Sequence, residues 1–361
     1  MRHANAAVFV PHIGCPHRCS FCNQNTITGC TAPPGPAEVR AAAQRAAETL
    51  PPGVPAEFAF FGGSFTAIGR DLMISLLEAV QPFLREGVFS GIRCSTRPDC
   101  IDAEILSLLK DYGVKAVELG AQSMDDVVLL KNGRGHTAAD VERASRLIQE
   151  AGLSLGLQMM TGLPGDSPEG ARETARRLAA LRPETMRIYP AIVLPGTAMA
   201  RWYEEGTYRP MELGEAIELC ADLLNFFESQ GIRVIRLGLH SSPELEHDRL
   251  AGPYHPAFRE LCQSRRFLRG IERALGGRTE ACRLFVSPRD LSAVLGQKHA
   301  NVSELCGKGY SVTVVPREEI PRGWFSVSFP GEEERLLSFT CLLYTSPSPR
   351  DAHESRMPSS A

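Results

Sequence analysis

Short apolar runs recur along the chain, and after each comes a stretch in which apolar and polar positions alternate at helical spacing. "AAVFVPH" (6–12) leads into a polar loop and then the Ala/Glu/Arg-rich stretch 37–50. "AEFAFFGG" (56–63) precedes an amphipathic helix near 69–85, and "GIRCSTRP" (91–98) precedes "DAEILSLLKDYG". "AVELGAQS" (116–123) precedes a helix near 137–151, and "LSLGLQMMTGLPG" (153–165) precedes "EGARETARRLAAL". "TMRIYPAIVLPGT" (185–197) precedes a helix near 212–230, and "IRVIRLGL" (232–239) closes the series. Six or seven β-α units in order predict an α/β fold with a parallel sheet, either a barrel or a doubly wound sheet. Polar residues and glycines gather just after the strands: the first loop, Gly62-Gly63, Ser95 to Arg97, Gln122, Gly162 to Gly165 and Pro195-Gly196. One rim of loops at the carboxyl ends of barrel strands accounts for this, so the expectation is a partial (β/α)6 barrel over residues 1–240.

The pattern then changes. Residues 241–276 read as a loop and helices wrapping back on the barrel, with Arg259, Arg265, Arg266, Arg269 and Arg273 as a basic strip. Arg265 and Arg269 share a helix face at i,i+4, as do Arg269 and Arg273. Over 277–320 comes a compact β-α-α-β pattern: "CRLFVS" a strand, "PRDLSAVLG" and "ANVSELCG" helices, "YSVTVVP" a strand. Residues 321–340 read as a terminal strand region. The Ser/Pro-rich stretch 341–361 breaks with the preceding composition and is expected to be non-native or disordered, outside fold and function.

Composition narrows the function classes. A 361-residue chain that is 43% hydrophobic and 22% charged reads as globular, and a net charge of −3 gives no global basic signal for nucleic acid. No run of about 18 or more uncharged apolar residues is present, so no membrane span is expected. Eleven cysteines without regular spacing do not make a disulfide framework, and together with the start "MRHANAAVFVPH" they point to a reducing, cytoplasmic setting.

The exception to that scatter is "GCPHRCSFCNQ" (14–24), with Cys15, Cys19 and Cys22 in a C-x3-C-x2-C run after the first strand. A structural zinc takes four protein ligands, for which Cys30 or His17 would have to supply the fourth. A [4Fe–4S] cluster held by three thiolates instead leaves one iron open for a substrate or cofactor.

At these residues the chain resembles the radical S-adenosylmethionine (SAM) superfamily, whose C-x3-C-x-aromatic-C run follows the first strand; Phe21 fills the aromatic position. The resemblance implies a [4Fe–4S] cluster on Cys15, Cys19 and Cys22, chelated at its unique iron by the amino and carboxylate groups of SAM. It also implies an external flavodoxin- or ferredoxin-like electron donor, and cleavage of SAM to a 5′-deoxyadenosyl radical that abstracts a substrate hydrogen. "FFGGSF" resembles the family's Gly-Gly-Glu turn, which places Gly62 and Gly63 against the SAM amino group, with Ser64 where many members carry Glu. "STRPD" places Ser95 and Arg97 near the SAM ribose or carboxylate. "LGAQS" and "KNGRGHT" resemble anaerobic coproporphyrinogen-oxidase-like members, which gives Gln122 to the ribose and Arg134 to the methionyl carboxylate. Gln158 in "LQMMTGLPGD" takes the place of a ribose-binding Asp.

"MRIYPAIVLPGTAMARWYEEGTYRP" is similar to the catalytic subunit of Elongator, a tRNA-modifying member of the superfamily, with Tyr189 and Pro190 bordering the pocket. No pattern for acetyl-CoA is visible, so carboxymethylation is not expected to carry over. "VLGQKHANVSEL" resembles a KH module, whose G-x-x-G turn clamps a nucleic-acid backbone, with His299 in the place of the second glycine. The expectation is therefore a radical SAM enzyme that modifies tRNA or rRNA, held partly through a KH-like end. A radical SAM enzyme for a small metabolite and a non-catalytic RNA-binding protein with a structural metal are the alternatives.

Overall fold

The computed structural model describes residues 4–10, 15, 19–23, 33–51, 53–240 and 243–339. His17, Cys30 and the stretch 341–361 lie outside the described residues. Contacts divide the chain into two units, residues 1–216 with 232–256 and residues 217–231 with 257–361.

The first unit is built on a seven-stranded parallel sheet in simple sequential order. Its strands are β1 (Ala4–Val10), β2 (Ala56–Gly62), β3 (Gly91–Thr96), β4 (Val114–Gln122), β5 (Ser154–Thr161), β6 (Thr185–Pro190) and β7 (Arg233–Leu237). The partial-barrel expectation holds, the seven runs read from the sequence all being strands. "IRVIRLGL" forms a seventh strand that pairs with β6, because Val234 and Leu237 find buried positions there.

Helices α1 (Pro36–Thr49), α2 (Arg70–Arg85), α3 (Ala103–Asp111), α4 (Asp126–Lys131), α5 (Ala138–Glu150), α6 (Pro168–Ala180) and α7 (Ala198–Glu204) fill the connections. Their starts are chemically marked. The Asp102 carboxylate accepts from Ile105 N, Asp125 from Val127 N, Ser167 from Gly170 N and Thr197 from Ala200 N. Thr137 and Asp140 form a reciprocal capping box on α5. Each cap satisfies a helix-end donor and is worth about 1 kcal/mol. On the sheet face away from the cavity, aromatics gather: Phe58 packs edge-on against Phe60 and Phe89, and Phe60 stacks on Phe65 at 4.5 Å.

The inner face of the sheet is different. Glu57, Arg93, Glu118 and Arg187 interrupt otherwise apolar strands, and all four meet there. Arg93 Nη2 lies 2.8 Å from Glu57 Oε2, and Arg93 Nη1 lies 3.1 Å from Glu118 Oε1. Arg187 grips Glu118 with two donors, Nε to Oε2 at 2.5 Å and Nη2 to Oε1 at 3.0 Å. Gly156 makes room for this ladder, since a Cβ there would stand 2.8 Å from Glu118 Cγ.

Helices α8 (Leu213–Ser229), α9 (Pro243–Asp248) and α10 (Phe258–Leu275) follow, α8 passing from the first unit into the second. The second unit carries a mixed four-stranded sheet ordered β11-β10-β8-β9, from β8 (Cys282–Val286), β9 (Val312–Pro316), β10 (Trp324–Ser328) and β11 (Arg335–Ser338). Helices α11 (Leu291–Leu295) and α12 (Ala300–Gly307) connect β8 to its parallel neighbour β9. The core joins Phe267, Ile271, Leu284, Val294, Leu305 and Phe325.

The basic strip does not survive folding as a free surface. Arg265 and Arg269 both pair with Glu218, Arg269 also with Asp222 at 2.5 Å, and Arg266 with Glu228. Sequence spacing shows which residues share a face but not which acids on α8 meet that face. Among the described residues, no helix is long and apolar enough to cross a membrane.

Candidate active site

The cysteine loop is tied to the rim through its polar neighbours. Ser20 N donates to Asn132 O at 3.0 Å and Ser20 Oγ to Asn132 Oδ1 at 2.5 Å, while Ser20 O accepts from Met199 N at 2.8 Å. Asn23 Nδ2 donates to Pro195 O at 2.8 Å. The loop is thus fastened to the segments that follow β4 and β6. Cys15 and Cys19 meet residues that follow different strands, and Cys22 lies on the cavity lining. Cys15 Sγ lies 3.7 Å from Ser64 Oγ after β2, Cys19 Sγ accepts from Arg134 Nη1 at 3.2 Å after β4, and Cys22 lines a cavity with Phe21. All three are free thiols with partial exposure. Among the described residues no three Cys, His or carboxylate groups converge on one metal-ion position. A cuboidal cluster takes one thiolate at each of three separate corners, whereas a single ion takes all its donors at one point.

Around the loop stand the other residues singled out from the sequence. Gly62 has φ +109°, and a Cβ would come within 2.9 Å of Val10 O; Gly63 N donates to the same oxygen at 2.8 Å. Only glycine closes β2 onto β1 in this way. Gly62→Ala is therefore expected to lower the stability of the first unit by more than about 1 kcal/mol, read as a lower denaturation midpoint. An unchanged midpoint would mean that the turn relaxes freely.

Ser95, Gln122 and Gln158 line the same cavity as Phe21, Cys22 and Gly62. Gln122 is held at φ +66° and its buried Oε1 has no partner. Gln158 Nε2 reaches Glu118 Oε2 at 3.0 Å and Ser95 Oγ at 3.3 Å, which ties a rim residue to the ionic ladder. Arg97 and Arg134 do not line the cavity but stand behind its wall. Arg97 forks onto Asp99 at 3.0 Å and donates to Arg134 O at 2.5 Å. Arg134 Nη2 donates to Gly120 O at 2.6 Å, leaving its buried Nε unpartnered. Beside them His136 is pushed down to about 4, by burial first and then by Arg134, and so stays neutral.

The cavity measures about 470 Å³, and every lining residue belongs to the first unit. Phe9, Phe21 and Phe61 line it together with Tyr189, Arg187, Arg236 and His240. Burial opposes the charge of Arg187, yet Tyr189 and Glu118 hold its proton affinity above the usual arginine range. Sequence reasoning passed over Glu118, Arg187 and Arg236; the signal available was a charged residue inside an apolar strand.

The profile described as the Radical SAM superfamily matches residues 9–178, and that of the Radical SAM C-terminal domain matches residues 183–267. The chain belongs to the radical SAM superfamily. It is a radical SAM enzyme by that membership. The tRNA uridine(34) acetyltransferase of Dehalococcoides mccartyi (strain CBDB1) is 38% identical over 137 residues, which is 37% of this chain and 30% of that protein. Human Elongator complex protein 3 is 28% identical over 188 residues, 46% of this chain and 34% of that protein. The solved structure of archaeal Methanocaldococcus infernus Elp3, with an N-terminal deletion, superposes with a TM-score of 0.61 at 21% identity, covering 74% of this chain and 63% of that one. That likeness shows the fold. The chain spans less than half the length of the curated relatives it matches.

Proposed function

We propose that this radical SAM enzyme holds a [4Fe–4S] cluster on Cys15, Cys19 and Cys22, binds SAM along the adjoining rim, and modifies a nucleoside of tRNA or another RNA. The observation that carries the reading is the meeting, at one cavity edge, of Cys22 and Phe21 with Gly62, Ser95, Gln122 and Gln158. The unpartnered buried Gln122 Oε1, on the cavity lining, supports it, because an unmet buried polar atom costs about 1–3 kcal/mol that a bound polar ligand can offset. When bound, the cluster supplies the electron, drawn from a flavodoxin- or ferredoxin-like donor, that splits SAM at its C5′–S bond.

The chain's residues position and shield. Gly62 and Gly63 would let the backbone come close to the SAM amino group, Gln122, Gln158 and Ser95 of the cavity lining would meet its ribose, and Arg134 would supply a cation for its carboxylate. Arg134 differs from the sequence expectation in also donating to Cys19 Sγ, so it braces the thiol as well. Phe9, Phe61 and Met160 provide apolar walls that exclude water from a reactive site.

The RNA part rests on the relatives named for tRNA uridine(34) chemistry and on the second unit. There Gly296 (φ +75°), Lys298 (φ +51°) and His299 (φ +63°) form a left-handed turn between α11 and α12, exposed at Gln297, Lys298 and His299. His299 adopts the backbone a glycine would, so its substitution has not abolished the turn. With Arg265, Arg266 and Arg269 paired to acids, Lys298 is the cation of this turn presented for a phosphate. Lys298→Glu is expected to weaken RNA binding and reduce the slope of log affinity against log salt by about 1. Identical slopes for wild type and variant would remove the turn from the interface. Arg269→Glu, by contrast, breaks its pairs with Glu218 and Asp222 and reports on stability.

The deciding experiment is a nucleoside inventory of tRNA and rRNA from cells with and without the protein. Loss of a modified nucleoside is expected. Unaltered RNA, together with SAM cleavage stimulated by a small metabolite, would transfer the assignment to metabolite chemistry.

A further inference from the structure

The charge of the cavity is one-sided. Its lining includes two arginines and a histidine, Arg187, Arg236 and His240, and no aspartate or glutamate. Glu57 and Glu118 of the ladder are not among the lining residues. Glu118 already divides its two oxygens among Arg93, Arg187 and Gln158.

The register makes the arrangement more pointed. Arg187 on β6 and Arg236 on β7 are direct partners on adjacent parallel strands. Like charges set side by side on one face of a sheet are destabilising. This pair is set side by side at the wall of a cavity, where charge repulsion is less screened than in bulk water. Both arginines, after burial, lower the proton affinity of His240, and both act to lower that of Tyr189. Arg236 Nε donates to Gly238 O at 3.0 Å, which fixes the guanidinium plane at the wall.

Beside the arginines the walls are aromatic. Phe9 and Phe61 lie with ring centroids 6.5 Å apart, and the Arg187 guanidinium carbon stands 4.8 Å from the Phe61 centroid. A ligand matching this surface has a flat or apolar body and an anionic end. Guanidinium forks suit the planar, multi-acceptor geometry of phosphate and carboxylate.

We propose that Arg187 and Arg236 form a receptor for an oxyanion of the substrate, a phosphate or a carboxylate, with the substrate's apolar body turned toward Phe9, Phe21 and Phe61. This rests on the reading of the cavity as the chamber in which the substrate is modified. Either source fits the chemistry: the phosphate of a nucleotide unstacked from RNA, or the carboxylate of a small acid.

The test is calorimetric binding to the full chain, reconstituted anaerobically and loaded with SAM. Uridine 5′-monophosphate and uridine form one pair of probes, and glutarate and its neutral diamide form the other. In wild type, the charged member of at least one pair should bind about tenfold or more tighter than its neutral counterpart, the increment expected for a charge-assisted contact. Arg236→Gln should bring that ratio close to one, and Arg236→Lys should restore part of it. The proposal is overturned if neither charged probe gains over its neutral partner in wild type, a comparison that needs no variant to fold. It is also overturned if the ratio survives Arg236→Gln, or if Arg236→Gln weakens SAM binding as much as oxyanion binding, since the pair would then serve SAM. A short single-stranded RNA separates this outcome from that of the proposed function. Arg236-dependent RNA binding supports both; Arg236-dependent glutarate binding without RNA binding keeps the oxyanion receptor and removes the RNA substrate.

Discussion

Alanine at any one of Cys15, Cys19 or Cys22 is expected to abolish the broad visible absorption of the anaerobically reconstituted protein and to reduce SAM cleavage to background. Three thiolates are the whole protein donor set in this reading, and among the described residues no further Cys, His or carboxylate joins them in a metal-holding group. Cys30→Ala should leave both properties intact, because the fourth position belongs to SAM. Iron and sulfide content, absorption and SAM cleavage, measured on all four variants, decide the matter. Damage from Cys30→Ala equal to that from Cys19→Ala would establish a four-cysteine site. The loss should be local, with unchanged circular dichroism, since the sheet does not depend on these side chains.

The second large effect concerns stability and needs no cofactor. Glu118 is 1% exposed and neutralises Arg93 and Arg187 within the sheet. Glu118→Leu strands two buried guanidiniums, and breaking a buried pair in this way costs about 3–5 kcal/mol. Arg93 keeps Glu57, so the larger share should fall on Arg187. Glu118→Leu combined with Arg187→Met should therefore recover most of the loss. Urea unfolding followed by Trp202 fluorescence in a Trp324→Phe background reads the first unit alone, since the chain has two tryptophans, one in each unit. A destabilisation below about 1 kcal/mol for Glu118→Leu, or no recovery in the double variant, would show that the ladder is solvated.

What was legible in the sequence was local. The strand runs lie within a few residues of chain, and they formed where periodicity put them. What stayed hidden was contact at long separation. Glu118 meets Arg93 across 25 residues and Arg187 across 69, so its role appears only once the strands are in register. The same limit produced the misreading of Arg269, whose partners lie 47 and 51 residues away on α8. Arg134 was placed toward a ligand by motif, and its contact with Cys19, 115 residues distant, could not be seen from the motif itself. The backbone of Gln122 at φ +66° is likewise unannounced, because glutamine rarely marks a left-handed position.

The fastening of Ser20 to Asn132 and Met199, and of Asn23 to Pro195, bears on how the protein matures in a cell. In a zinc finger the metal supplies the folding free energy, so a chelator unravels the domain and the empty form is short-lived. Here Ser20 and Asn23 are held by amide and hydroxyl contacts that involve no thiol. If the three cysteines hold a cluster as proposed, these two anchor points can form before it is loaded. Loss of such a cluster to oxidation would then leave the anchors in place for reloading.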